Sequence, residues 1–451
     1  MYLQIGIAPK HRPFFRYLWR GLDQTKEPEE YEFNRVVFGV NSSPFLAQFV
    51  AQEHARKYTS EAPLGAETIL KSTYMDDGMD SVPDSDTGIQ LYKELTYLWE
   101  TAGMKVRKWM SNSSAVLSEI PPEDRAQGIE LESSELPTVK TLGISWSASQ
   151  DIFSFHLNPP DSEMIVTKRN FLRKLAAVFD PLGFLSPFLV RGKVLMQEIW
   201  VAGYEWDQEI VGTVEKRIRN WFEELPDLQQ IEIPRCLRLA QEETVEKLQI
   251  HTFTDASQEA YGAEVYCRTT YRSGKDAVRL IVSKNKVAPL TTVSIPRLEL
   301  MGATLGLHLT VNIITALQIP ITDVTFWSDS LNVLWWIRGR SRQFKAFIAN
   351  RVGEIQSISN PQQWRYVSTD KNPADLLTRG LTATDLSSSE IWWNGPGFLS
   401  KEEDQWPENP CVKQATEQRT EIEIEIKKGE STFVAVGDQH QHDQLNRMVD
   451  P

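Results

Sequence analysis

Residues 247–257 read KLQIHTFTDAS. β-Branched and aromatic residues run up to an acid that is followed by small turn residues, which predicts a strand ending in Asp255. The pattern continues on the C-terminal side. AEVYCR (263–268) and AVRLIVS (277–283) read as the next two strands, the second hairpin turning at Ser273-Gly274. SIPRLELMGATLGLHLTVNIITAL (294–317) reads as a helix with Pro296 near its start. Glu299 is expected in its first turn, among the apolar residues Leu298, Leu300, Leu305, Leu309 and Ile313. DVTFWSDS (323–330) is a fourth strand ending in Asp329, followed by the helix LNVLWWI (331–337). WRYVSTDKNPADLLTRG (364–380) is a fifth strand and a loop, after which Asn372 caps a helix with Pro373 at N1 and Asp375 at N3.

Two acids thus fall at C-terminal ends of strands and two in first helical turns. In an open α/β sheet those positions converge on one crevice. Four carboxylates gathered there repel one another unless cations neutralise them, and an all-oxygen donor set suits Mg²⁺ or Mn²⁺. Two such ions roughly 4 Å apart activate a water and stabilise the leaving oxygen of a phosphodiester. The chemistry implied is metal-dependent hydrolysis of a nucleic-acid backbone, with Asp255, Glu299, Asp329 and Asp375 as catalytic residues and metal ligands. Taken singly, each acid has a structural alternative. Asp255 and Asp329 also suit helix-capping turns, Asp375 complements a helix dipole, and Glu299 suits an exposed first turn.

Upstream, residues 1–110 read as a compact α/β unit. Strand patterns at Met1–Ile7 and Glu32–Phe38 flank a loop carrying His11, Arg12, Arg16 and Arg20, and Ser43-Pro44 starts a helix. TILKSTYMDDGMDSV (68–82) then places Asp76 and Asp77 side by side at a strand–strand turn, where a template-directed polymerase holds catalytic metals. A second helix, Asp86–Gly103, follows, and GMKVRKWMSNS (103–113) closes the unit as a short basic strand in which Lys108 and Trp109 are candidate nucleic-acid contacts. Within residues 111–246 a helix, a Pro/Gly-broken turn and a second helix are expected; Lys168, Arg169, Arg173 and Lys174 give the first a basic side, either a nucleic-acid contact or a solvated face.

The chain has 451 residues, enough for two or three domains. Its net charge of −13 argues against a polyanionic partner. From Lys401 onward, however, twelve acidic residues stand against six basic ones, so much of the deficit belongs to that segment. Cys236, Cys267 and Cys411 are too far apart to suggest a disulfide framework or zinc knuckle. The N-terminus lacks the layout of a signal peptide, and apolar runs are read as too short to span a membrane, so an intracellular setting is expected, cytoplasmic or nuclear. TEQRTEIEIEIKKGEST (416–432) alternates Glu and Ile, as an exposed strand or a disordered tail would. Asp86-Thr87-Gly88 matches the short signature of an aspartic peptidase, but it follows SVPDS and precedes an amphipathic helix, so helix initiation explains it better. His440 and His442 lie in a polar segment without a nearby Cys.

TDAS, PRLEL, SDS and NPAD, in this order, resemble the ribonuclease H domain of retroelements. RVVFGVNSSPFLA, YMDD and GMKVRKWMSNS resemble the palm of a reverse transcriptase. Together with VFDPLGFLSPFLVRGKVLMQEIW, IPRCL and WWNGPGFL, the chain is similar from residue 1 to about 400 to the Bel/Pao class of LTR retrotransposon polyproteins. The resemblance implies an α/β multidomain protein. Its parts would be a partial α+β palm (1–110), a helical thumb and connection region bearing the Pao peptidase-family label (111–246), a ribonuclease H-like mixed five-stranded sheet with flanking helices (247–395) and a polar acidic tail (396–451). It implies Mg²⁺ or Mn²⁺ as cofactor, and an RNA–DNA hybrid or other nucleic acid as partner. Retroelement particle proteins would be further partners, and no membrane is involved. It also implies that the third polymerase carboxylate lies upstream of Met1 and that Tyr2 takes the place of the aromatic steric gate. The palm is therefore expected to be an inactive remnant. Many relatives outside this class carry a mobile His near the last acid; here Thr369, Asp370 and Lys371 stand there. The rival expectations are a non-enzymatic remnant that binds nucleic acid or protein, and an aspartic peptidase.

Overall fold

A computed structural model describes residues 1–75, 77–129, 138–141, 144–237, 243–409 and 425–426. The chain divides into two compact units, one of Met1–Val139 with Ser147–Asp151, the other of Lys140–Trp146 with Ile152–Pro451.

In the N-terminal unit, helices Ser43–Lys57, Pro63–Lys71 and Ser85–Thr101 pack through small residues. Ala51, Ala55, Ala62 and Ala66 let the backbones approach, and Ile69, Leu95 and Leu98 fill the seam. The strand expected at Met1–Ile7 is instead a 3₁₀ turn at Tyr2–Gln4 and a single bridge from Gly6 to Arg35. Ile5 and Ile7 are buried while Leu3 is exposed, so the alternation is real, but a ladder only two hydrogen bonds long gives a strand no room to extend. The strand expected at Glu32–Phe38 is not formed either: the strand here is Glu29–Glu32, paired with Arg16–Trp19, and it ends where the expected one was to begin. The expected basic strand around Lys108 is reduced to one bridge, Trp109 to Arg125, and Lys108 has a positive φ that no strand tolerates.

In the C-terminal unit five strands form one mixed sheet: β1 (Val245–Ala256), β2 (Ala260–Tyr271), β3 (Asp276–Val287), β4 (Val324–Ser328) and β5 (Trp364–Tyr366). Their order is β3-β2-β1-β4-β5, antiparallel through β1–β3 and parallel from β1 to β4 and β5. β1 is buried on both faces from Gln249 to Ala256, as a central strand covered on two sides must be. The connecting region supplies helices α1 (Lys168–Ala177), α2 (Ser186–Val201) and α3 (Thr213–Glu223). Helices α4 (Ile295–Leu317), α5 (Leu331–Arg338) and α6 (Ala346–Ile358) cover one face around Ile250, Val265, Leu300, Leu307, Phe326, Trp336 and Trp364. The other face, with Phe253, Tyr266 and Trp327, is covered by α2, by α7 (Asp375–Arg379) and by the segment carrying Trp392, Phe398 and Trp406.

These contacts place the boundaries elsewhere than at residues 246 and 395. Asn285 Nδ2 of β3 donates to Ser186 O at 3.0 Å, Lys193 Nζ donates to Asn285 Oδ1 at 2.7 Å, and Trp392 Nε1 donates to Phe184 O at 3.0 Å. The turn before α2 also covers the sheet's edge strand, Ser283 N donating to Leu182 O. The connecting helices are therefore one covering layer of the sheet. The polar tail likewise begins later than residue 396, because Phe398, Leu399 and Trp406 belong to the core. Trp336 and Trp364 are fully buried, and Trp335 packs half-buried on Phe344, so all three serve the core. Helix α4, at 23 residues, is long and apolar enough to cross a membrane, contrary to the sequence expectation. It lies on the sheet with Leu298, Leu300, Ala303 and Leu307 buried, which accounts for its apolar character.

Candidate active site

Strand register brings the first two acids together. Thr254 of β1 is paired with Ser328 of β4 in the parallel ladder, so Asp255 and Asp329, the next residue on each, leave neighbouring strands side by side. Parallel strands stand about 5 Å apart. This is the point where the strand order reverses, β2 leaving one side of β1 and β4 the other. Helix α4 reaches the same end of the sheet because Gly302 and Gly306 let it lie against the strands. A Cβ on Gly302 would stand 3.0 Å from the Asp255 carbonyl oxygen, and one on Gly306 2.7 Å from Thr254 Cγ2. Glu299 is the fifth residue of α4, one turn before Gly302 and slightly beyond the expected first turn. Its carboxylate accepts a hydrogen bond from Ser330 Oγ, the residue after Asp329.

Asp329 accepts from Thr369 Oγ1 at 2.7 Å and from Asn372 Nδ2 at 3.3 Å. Asn372 is buried, and its amide also donates to Thr254 O at 3.2 Å, tying Asp329 back to β1. Asn372 Oδ1 accepts from Ala374 N at 3.2 Å, so it organises the turn, while α7 begins at Asp375 itself rather than two residues before it. Asp255 Oδ2 accepts from Thr378 Oγ1 at 2.7 Å, and Asp375 pairs with Arg379 at 2.8 Å. Burial pushes the Asp255 carboxyl up to about 6; the charge of Asp329 and, more weakly, of Asp375 adds to the rise, and the Thr378 hydroxyl opposes it. Burial also raises Asp375, with Arg379 opposing and Asp329 adding.

Each acid thus has its own hydroxyl, amide or guanidinium partner. As the side chains stand, no three Asp, Glu, His or Cys groups among the described residues close around one metal position. The donor chemistry nevertheless fits a hard divalent cation: oxygen donors only, with mutual repulsion between carboxylates that a cation would relieve. Sequence reasoning missed Ser330, Thr369 and Thr378. Glu264 of β2 was missed as well; it is wholly buried, neither carboxylate oxygen has a hydrogen-bond partner among the described residues, and burial, then the Asp255 charge, raise its pKa.

Lys168 is buried, its ammonium 4.3 Å from the Trp200 ring centre and 5.4 Å from that of Trp206, and Arg169 forms a two-pronged pair with Asp207. Of the basic side of α1, Arg173 is exposed and Lys174 half-buried. In the N-terminal unit Trp109 is half-buried, its ring meeting Tyr92 edge-on, and Lys108 is exposed. Tyr2 packs on Phe38, Asp77 is exposed opposite Tyr74, and Asp76 lies outside the described residues. Asp84 caps helix Ser85–Thr101 by accepting from Thr87 N at 2.8 Å, with Asp86 in the first turn, the arrangement expected of helix initiation.

Residues 167–330 match the family described as the Pao retrotransposon-like RNaseH-like domain. The match spans α1–α3 together with β1–β4, the elements that pack as one body. No curated protein matches the chain. Among solved structures, the N-terminal RNase H domain of Rv2228c from Mycobacterium tuberculosis, in a fusion with maltose-binding protein, shares 14% identity over 32% of this chain and 97% of that one. The TM-score is 0.21.

Proposed function

We propose that the C-terminal unit hydrolyses the RNA strand of RNA–DNA hybrids. One observation carries the reading: the Thr254–Ser328 register, which sets Asp255 beside Asp329 at the strand-order reversal. Asp255, Asp329, Glu299 and Asp375 are the residues that would hold Mg²⁺ or Mn²⁺. Bound there, the cations would supply charge neutralisation at the scissile phosphate and Lewis acidity toward the water and the leaving oxygen. The chain's own task is to keep four like charges in place. Asn372 fixes Asp329 to the β1 backbone, Thr378 orients Asp255, and Ser330 holds Glu299 toward the β4 end. Arg379 balances Asp375 on the rim. Pairing with nucleic acid at a net charge of −13 requires local positive groups, and exposed Arg173 and half-buried Lys174 are the candidates remaining on α1.

The test is a substrate panel. The full chain with Mg²⁺ is expected to cut the RNA strand of a hybrid, to leave single-stranded RNA and duplex DNA uncut, and to lose activity on chelation. An intact, folded chain that cuts none of these would overturn the reading in favour of a protein that binds without hydrolysing.

A further inference from the structure

Glu425 and Ile426 lie far beyond the last strand of the sheet in sequence, yet both are placed against its helices. Glu425 is 6% exposed, and its carboxylate meets the Arg297 guanidinium in a two-pronged pair, Nε to Oε1 at 2.8 Å and Nη2 to Oε2 at 3.0 Å. Lys345 N donates to Glu425 O at 2.8 Å, and Ile426 makes an antiparallel bridge with Phe344 and packs against the core cluster around it. The alternating Glu/Ile pattern read as an exposed tail therefore includes one acid and one apolar residue that are specifically received.

The receiving surface is cationic. Arg297 and Arg351 both lie on the Phe347 ring, their guanidinium carbons 5.0 and 3.7 Å from its centre. Two guanidinium groups on one ring call for an anion; Glu425 supplies it to Arg297, and Glu354, the acid near Arg351, is held by His308 at 2.6 Å. The position also matters. Arg297 is two residues before Glu299 on α4, and Arg351 stands near Tyr261, which is registered across the β1–β2 ladder from Ala256, the residue after Asp255. This cationic pair is thus at the same end of the sheet as the acids.

We propose that Arg297 and Arg351, laid on Phe347, form an anion site which the chain fills with its own Glu425 and which takes a backbone phosphate of the nucleic-acid substrate in its place. A phosphodiester offers two oxygens and one negative charge, the same fork that the carboxylate presents to a guanidinium. Glu425 then acts as a latch: substrate binds fully only when this segment leaves. The proposal rests on the hybrid-binding reading above.

The test measures binding of a short fluorescein-labelled RNA–DNA hybrid to the full chain in EDTA, where no cutting occurs, across a range of salt concentrations. Glu425→Gln, and separately Ile426→Ser, which frees the same segment without touching the carboxylate, are expected to tighten binding roughly threefold to tenfold. The salt dependence is expected to steepen by about one counterion. Adding Arg297→Ala to Glu425→Gln is expected to cancel the gain. Hydrogen exchange at the Lys345 amide should speed up when hybrid is added to the wild-type chain. Hybrid binding of equal strength in the wild type and both variants, with Lys345 exchange unchanged, overturns the latch and leaves the nuclease reading standing. Absence of hybrid binding in all of them overturns both.

Discussion

Burial and the charge of Asp329 and Asp375 push the Asp255 carboxyl up to about 6, so at neutral pH its ionised form works against folding. A carboxyl whose folded-state pKa is raised adds stability that is complete below 3.8, the ordinary aspartate value, and lost as the pH rises through about 6. Asp255→Asn mimics the protonated acid, so it should stabilise the chain at pH 8 by up to about 3 kcal/mol. The gain should vanish below pH 4, as read by urea unfolding at several pH values. An Asn variant that is less stable at pH 8 would show that the Asp255 charge is already compensated. The four acids were legible as residues because each closes a strand pattern or opens a helix. The hydroxyls that hold them were not. Thr378 meets Asp255 across 123 positions of sequence and Thr369 meets Asp329 across 40, and no local pattern marks such partners.

Among the elements, α4 lies close against the sheet at the site, through Gly302 and Gly306. Gly302→Ala gains about 1 kcal/mol of helix propensity. Its new Cβ would press on the Asp255 carbonyl at 3.0 Å and push the helix outward. The expected result is a net stability loss of about 1 kcal/mol, with a fall in hybrid cleavage of at least about tenfold, the equivalent of 1.4 kcal/mol in the barrier. Unchanged cleavage would show that the Glu299–Asp255 spacing is not critical. The sheet's strands were readable because alternating, β-branched runs end at turn residues, and the helices because their apolar residues recur at helical spacing. Met1–Ile7 was misread for a different reason: alternation reports burial of Ile5 and Ile7, not the number of strand partners available. Glu425 could not be read either, since an acid in a Glu/Ile repeat looks alike whether it meets water or Arg297.

For the molecule as a whole, residues 111–246 and 247–395 looked like successive domains because the resemblance divides the chain there. The structure joins the connecting helices to the sheet through Asn285, Lys193 and Trp392, contacts between residues about ninety to two hundred positions apart that no linear reading supplies. That covering layer buries the face of the sheet on which Thr378 and α7 hold Asp255 and Asp375, so the candidate site depends on the whole unit. Hydrolysis by this unit requires that carboxylates scattered over the sheet and its helices act on one phosphodiester. Its most direct test is cleavage of an RNA–DNA hybrid in Mg²⁺ at pH 8 by the full chain and by Asp255→Asn, with folding of both verified by urea unfolding. The expectation is cutting of the RNA strand by the wild type and a loss of at least about a thousandfold, some 4 kcal/mol, in a variant that is folded and more stable. A folded Asp255→Asn chain that still cuts within tenfold of the wild type would contradict it.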